Sequence, residues 1–222
     1  MRWSTRIKEL ASLDVNHQVF GARGRFGHAY RAQRVAVDEL VEFERWCGRT
    51  LPEEFRDYIL EVGTGVGPDY GIYSLQRMRE ELDEIYNEYF EQSQVTGKPC
   101  DDFELEAQLL ALRKANHAGF EPIPSPSFPG GFIPISEGGC GGVTVLVTSG
   151  ALRGVVFDHN HYGSTHGEWF PATRPTSLIR FVRQTPALPE FDHWPTFGEW
   201  VDGWLDQALR DFHGPGPMMF LA

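Results

Sequence analysis

The stretch DHNHYGSTHGEWF, residues 158–170, sets His159, His161, His166 and Glu168 close together in the chain. Two histidines spaced two apart on a strand point to one face. Imidazoles joined by a carboxylate suit iron, manganese or zinc. Such a centre would serve a metal-dependent oxygenase or hydrolase. The other chemistry-bearing residues are more scattered. Cys47, Cys100 and Cys140 form no CxxC pair, so neither a zinc knuckle nor a disulfide framework is indicated. Cys140 lies in GGCGG, but a nucleophilic cysteine needs a histidine and an orienting group, and no spacing specifies them. There is no GxSxG elbow and no P-loop lysine. The glycine run GTGVGP (63–68) follows a helical pattern and ends in Pro68, whereas a dinucleotide fingerprint follows a strand and opens a helix.

The histidine spacing departs from the metal-binding pattern of the cupins, G-x5-H-x-H-x(3,4)-E. Gly154 is one residue too close to His159, His166 stands near where a glutamate is required, and Glu168 falls two places late. A polar connection between strands accounts for the same residues without a metal. The metal-dependent enzyme stays as an alternative that metal analysis would decide.

The elements that would position these residues come from periodicity. Residues 1–18 predict a short helix with Trp3, Ile7 and Leu10 on one side, and 20–34 a Gly- and Arg-rich loop. Ala36, Leu40, Phe43 and Cys47 form an amphipathic stripe. Gly48 stops that helix, Pro52 suits the first position of the next, and Phe55, Tyr58, Ile59 and Val62 line its face. A strand is expected over Gly71–Leu75. A helix over 77–92 carries Met78, Leu82, Ile85 and Tyr89 opposite an acidic side, and a second acidic helix is expected over 101–115. PIPSPSFPGG breaks the helical pattern. Then the period changes to two. FIPIS, GVTVLVTSG, RGVVFDH and GEWFPA read as antiparallel strands. A closing helix carries Phe197, Trp200, Val201, Trp204, Leu205, Ala208 and Phe212 as one wide apolar stripe. Helices before strands make an α+β fold: a single domain with an antiparallel sheet packed against N-terminal helices and a C-terminal helix.

With 222 residues the chain can bury roughly 70% of its unfolded surface. It carries 20 Lys and Arg against 31 Asp and Glu, a net charge of −11. That balance argues against nucleic-acid binding and favours a basic partner. No apolar run reaches the ~18 residues of a membrane span, and MRWSTRIKELASLD lacks the apolar core of a signal peptide. With scattered thiols, a cytoplasmic protein is expected.

The order of motifs resembles the SUKH superfamily, the group of bacterial immunity proteins that also holds fungal regulators of cell-wall synthesis and killer-toxin resistance. The resemblance rests on a Glu-bearing helix (Glu42, Glu44), then LP-x-x-F-R (Leu51, Pro52, Phe55, Arg56). A G-x-G-x-GP turn (Gly63, Gly65, Gly67, Pro68) and YG (Tyr70, Gly71) follow. FIPISEGGCGG, LVTSGALRGVVFDH and TFGEWVDGWLDQAL match later strand and closing-helix patterns. It covers about residues 20–212, leaving 1–19 as an N-terminal helix or tail and 213–222 as a C-terminal tail, with the acidic segment 77–115 and the residues between Phe170 and Thr196 as enlarged connections.

The resemblance implies no catalysis and no cofactor or metal. It implies a protein that neutralises a protein toxin by binding it, and the acidic charge suits a basic nuclease. A regulatory adaptor is the alternative within the same class. Candidate partner-binding residues are Asp69, Tyr70 and Tyr73 around the glycine turn, Glu80, Glu81, Glu84 and Glu88 on the acidic helix, and His161 and Tyr162 in the histidine loop. Trp and Tyr often anchor interfaces.

Overall fold

The computed structural model describes residues 2–23, 27–90, 99, 101–102, 106–107, 123–124, 130–139, 142–160, 168–171 and 194–213. Four helices come first: α1 (Trp3–Leu13), α2 (Val37–Cys47), α3 (Glu53–Glu61) and α4 (Leu75–Phe90). The strands are β1 (Ile123–Pro124), β2 (Phe132–Gly139), β3 (Gly142–Val147), β4 (Val156–Asn160) and β5 (Glu168–Pro171), followed by the closing helix α5 (Phe197–His213). The sheet is antiparallel, in the order β1-β5-β4-β3-β2. The α+β reading therefore holds.

Strand alternation gives the sheet two apolar faces. Ile133, Ile135, Leu146 and Val156 join a core built from α1, α2, α3 and α5. Phe132, Val143, Val145, Val147 and Phe157 join a second core with Leu82 and Ile85 of α4. The sheet thus lies between two helical layers. The predicted stripes supply the first core: Trp3, Ile7 and Leu10 in α1, Leu40, Phe43 and Cys47 in α2, Phe55, Tyr58 and Ile59 in α3. α5 adds Phe197, Trp200, Val201, Trp204, Leu205 and Ala208. Phe197 is the hub, stacking edge-on against Phe55 at 4.9 Å and Tyr58 at 5.4 Å.

Polar contacts fix how the helices meet. Trp3 Nε1 donates to Asp202 Oδ1 at 3.1 Å, and Arg6 pairs with Asp202 and Asp206, so α1 is stitched along α5. α5 begins with a capping box, Thr196 N–H to Glu199 and Glu199 N–H to the Thr196 hydroxyl. The N–H of Gly198, one of the free donors of that first turn, is accepted by Glu54 of α3 at 3.0 Å. Under the loop at 27–34, His28 is buried, accepts the Tyr30 N–H at Nδ1, and meets Trp204 edge-on. Burial brings its pKa down to about 4, so the ring is neutral at neutral pH.

Three boundaries differ from expectation. The strand over Gly71–Leu75 is only a single bridge, Ile72 to Ser136. Ser74 ends it, because its hydroxyl accepts the Arg77 N–H and starts α4 at Leu75. Pro52 precedes α3 rather than opening it. β4 runs on through His159 and Asn160, which pair with Trp169 and Glu168, so the histidine connection is shorter than read. The helix expected at 101–115 lies almost wholly outside the described residues.

Glu44 is the buried exception to the amphipathic pattern of α2. Its Oε1 accepts the Leu51 N–H at 3.0 Å and Arg56 Nε at 3.2 Å, so this carboxylate ties α2, the 48–52 turn and α3 together. A buried ion pair broken on one side leaves the other members unpaired. Glu44→Ala should therefore lower stability by about 3 kcal/mol in urea denaturation. A loss below about 0.5 kcal/mol would show that the carboxylate holds nothing together.

Candidate functional site

The glycine turn between α3 and α4 positions the first group of candidates. Gly63, Gly65, Gly67, Asp69 and Gly71 all have positive φ, so alternate residues take a conformation that side chains resist. At Gly63 a Cβ would strike the Gln33 carbonyl oxygen at 2.1 Å, because residues 33 and 64 exchange two backbone hydrogen bonds there. The turn is fastened on its other side to the edge strand β2. The Tyr73 N–H donates to the Ile135 carbonyl at 2.8 Å, and the Ser136 hydroxyl donates to the Gly71 carbonyl at 3.0 Å. From the core, the Tyr58 hydroxyl donates to the Val66 carbonyl.

This lacing carries Asp69 over the sheet. Thr144 and Asp158 are register partners on β3 and β4. The Thr144 hydroxyl lies 2.8 Å from Asp158 Oδ1 and 3.5 Å from Asp69 Oδ2. One hydroxyl proton cannot serve both carboxylates. Burial, and then the charge of Asp158, push the Asp69 carboxyl up to about 8, with the Thr144 contact opposing. At neutral pH Asp69 thus carries its proton and can donate to the Thr144 oxygen while Thr144 donates to Asp158. Tyr70 lies half-buried beside it, with Phe20 at 5.4 Å and its ring against Gly139.

Tyr73 links the turn to α4. Burial, with Glu81, Glu137 and Asp69 nearby, raises its pKa, so the hydroxyl stays protonated. The Arg77 guanidinium sits over the Tyr73 ring at 5.8 Å and pairs with Glu81. Glu81 is buried rather than solvated, and its pKa is raised by desolvation. Glu80 and Glu84 are exposed, Glu80 accepting from Gln76. Glu88 belongs to α4, but its side chain lies outside the described residues, as do His161 and Tyr162. Among the candidates, then, Asp69, Tyr73 and Glu81 share one electrostatic neighbourhood, with Glu80 and Glu84 on the same helix.

Sequence reasoning missed Thr144, Asp158 and Glu137 here. The polar Thr144 inside GVTVLV was the one available signal, since it faces the helical layer where apolar residues are the rule. Of the proposed metal ligands, only the backbone of His159 and Glu168 is described, and no group of three or more His, Cys, Asp or Glu suited to a metal occurs among the described residues. Nor is any helix among them long and apolar enough to cross a membrane.

The family model of the SMI1/KNR4 proteins (SUKH-1) matches residues 34–203. The chain belongs to that family. The match begins one residue after Gln33, which bridges to Thr64 of the glycine turn, and ends inside α5, so the described SUKH-1 core includes the turn, α4 and the sheet. No curated protein and no solved structure matches the chain. Family membership fits immunity or regulatory roles and a protein partner, and such families are generally without catalysis.

The Asp69 carboxyl makes stability depend on pH in a defined direction. Its folded pKa, about 8, lies above the ordinary aspartate value of 3.8, so its contribution is full below about pH 4 and is lost as pH rises towards 8. Asp69→Asn keeps the shape, tolerates the positive φ and cannot ionise. The melting temperature of Asp69→Asn relative to the parent should rise steadily between pH 4 and pH 8. A difference that is flat with pH would contradict the buried proton.

Proposed function

We propose that this SUKH-1 protein is a non-enzymatic immunity protein that acts in the cytoplasm, binding a toxin and blocking it, and that its partner is a basic nuclease. The observation that carries this reading is the single acidic neighbourhood formed by the glycine turn and the first half of α4. Glu81, Glu137 and Asp69 all act on Tyr73 there, Glu137 and Glu84 act on Glu81, and exposed Glu80 and Glu84 carry negative charge into solvent. In a chain of net charge −11, this face would oppose the basic cleft with which a nuclease holds phosphates.

The parts would divide the work. Exposed Glu80 and Glu84 would steer a basic partner, which raises association rate more than final affinity. Tyr70 and Tyr73, held on a turn fastened at both ends, would present aromatic area with little entropy left to lose. The Asp69–Thr144–Asp158 group would change proton content when a cationic side chain approached, since a nearby positive charge favours the ionised carboxyl. None of these roles needs a reacting bond.

Co-expression with the toxin encoded beside the gene should restore growth, and the two proteins should co-purify. Failure of both would remove the immunity reading. Glu80→Lys combined with Glu84→Lys should slow association about tenfold at low salt and flatten its salt dependence, read by stopped-flow or surface plasmon resonance. An unchanged rate would move the interface away from α4.

A further inference from the structure

A cleft adjoins the acidic face on its α2 side. It is open, with a volume of about 520 Å³, and runs between the 33–35 segment, α2 and the start of α4. Val35 and Leu75 contribute apolar lining, and Arg34, Glu39, Glu42 and Arg79 its charge. Arg79 is the anomaly. Its guanidinium lies over the Phe43 ring at 5.4 Å and the Trp46 ring at 5.2 Å. Its Nε is buried and has no hydrogen-bond partner, and Arg79 has no ion pair with the described residues. Acids outnumber bases 31 to 20 in this chain, and other arginines use them. Arg6 pairs with Asp202, Arg56 with Glu44 and Arg77 with Glu81, while Arg153 donates to the Thr50 and Leu51 carbonyls.

A guanidinium stacked on aromatic rings is held in one orientation and keeps its planar fork for a carboxylate. The surrounding charges select among anions. Glu39 is committed to the Ala36 N–H at 2.9 Å. Exposed Glu42 has no ion pair with the described residues, and neither has exposed Arg34. The cleft wall therefore offers two positive and two negative groups. A phosphate dianion would meet Glu39 and Glu42 on the same wall. A carboxylate with a cation beside it satisfies both signs.

We propose that this cleft binds an acidic side chain of a protein partner, Arg79 receiving the carboxylate and Glu42 the basic residue next to it. Arg34 adds charge at the mouth. The cleft adjoins the acidic face through α4, where Gln76 lines it and donates to Glu80, so it would hold a second point of the same partner; carboxylate binding here does not depend on that partner's being a toxin.

The Nε–H resonance of Arg79 and the indole N–H of Trp46 report on it directly in nitrogen-labelled full-length protein. The probe is the peptide acetyl-Ala-Glu-Lys-Ala-amide, with acetyl-Ala-Gln-Gln-Ala-amide and inorganic phosphate as comparisons. The charged peptide should shift both resonances saturably at millimolar concentration, while the neutral peptide and phosphate leave them in place. Arg79→Gln should weaken the peptide about tenfold as read from the Trp46 indole, and Glu42→Gln should let phosphate shift the Arg79 signal. Phosphate matching or exceeding the peptide in the parent protein would overturn the proposal, as would no saturable peptide shift. Those parent-protein titrations decide the matter even if Arg79→Gln does not fold.

Discussion

Between Gly63 and Gly71 the backbone alternates into positive φ five times, at Gly63, Gly65, Gly67, Asp69 and Gly71. This turn leaves the helical layer at α3, exchanges hydrogen bonds with residue 33, fastens to β2 and delivers the chain to α4 on the other side of the sheet. Both cores depend on it, because α4 can cover its sheet face only if the chain crosses the β2 edge here. The same turn covers that edge, where the Tyr73 and Tyr70 N–H groups take the Ile135 and Glu137 carbonyls that would otherwise be free to pair with another strand. Four glycines make the path possible. Asp69 holds the fifth position with a side chain, so the conformation is strained at the residue that reaches Thr144. Strain of this kind persists where surrounding contacts over-determine it and commonly marks functional positions.

The acidic residues fall into two physical classes. Glu80 and Glu84 stand in solvent, where their mutual repulsion is screened and their combined field acts at a distance. Asp69 and Glu81 are held where ionisation is opposed by burial, and each sits near further carboxylates. In the proposed complex the first class would shape how a basic partner arrives. The second stores unfavourable electrostatics that a nearby cation would relieve. A chain with this division folds less stably at neutral pH than it would with neutral groups at Asp69 and Glu81.

Much of this architecture was readable from periodicity, for a simple reason. Leu40, Phe43 and Cys47, or Trp200, Val201 and Trp204, follow the helical period because one face of each helix is buried. Glu44 was not readable as a core residue, since charge marks solvent exposure unless the Leu51 N–H and Arg56 are known to lie beside it. The Gly71–Leu75 segment has strand composition, yet Ser74 caps a helix there, and the cap outweighs propensity. The candidate surface was legible only in part. Asp69, Tyr70 and Tyr73 were visible because glycines announce a turn. Thr144 and Asp158 meet Asp69 through sheet register and a connection spanning most of the domain, which no local pattern encodes. Arg79 was equally hidden, because its significance is the lack of an ion pair among the described residues and the two rings beneath it.

In the proposed complex the glycine turn and α4 together form the face that meets the partner. Hydrogen–deuterium exchange of the full chain, alone and bound to the toxin proposed as its partner, tests this most directly. Slower exchange concentrated in residues 69–84 on complex formation is the predicted result. Protection elsewhere, with 69–84 exchanging as in the free protein, would contradict it.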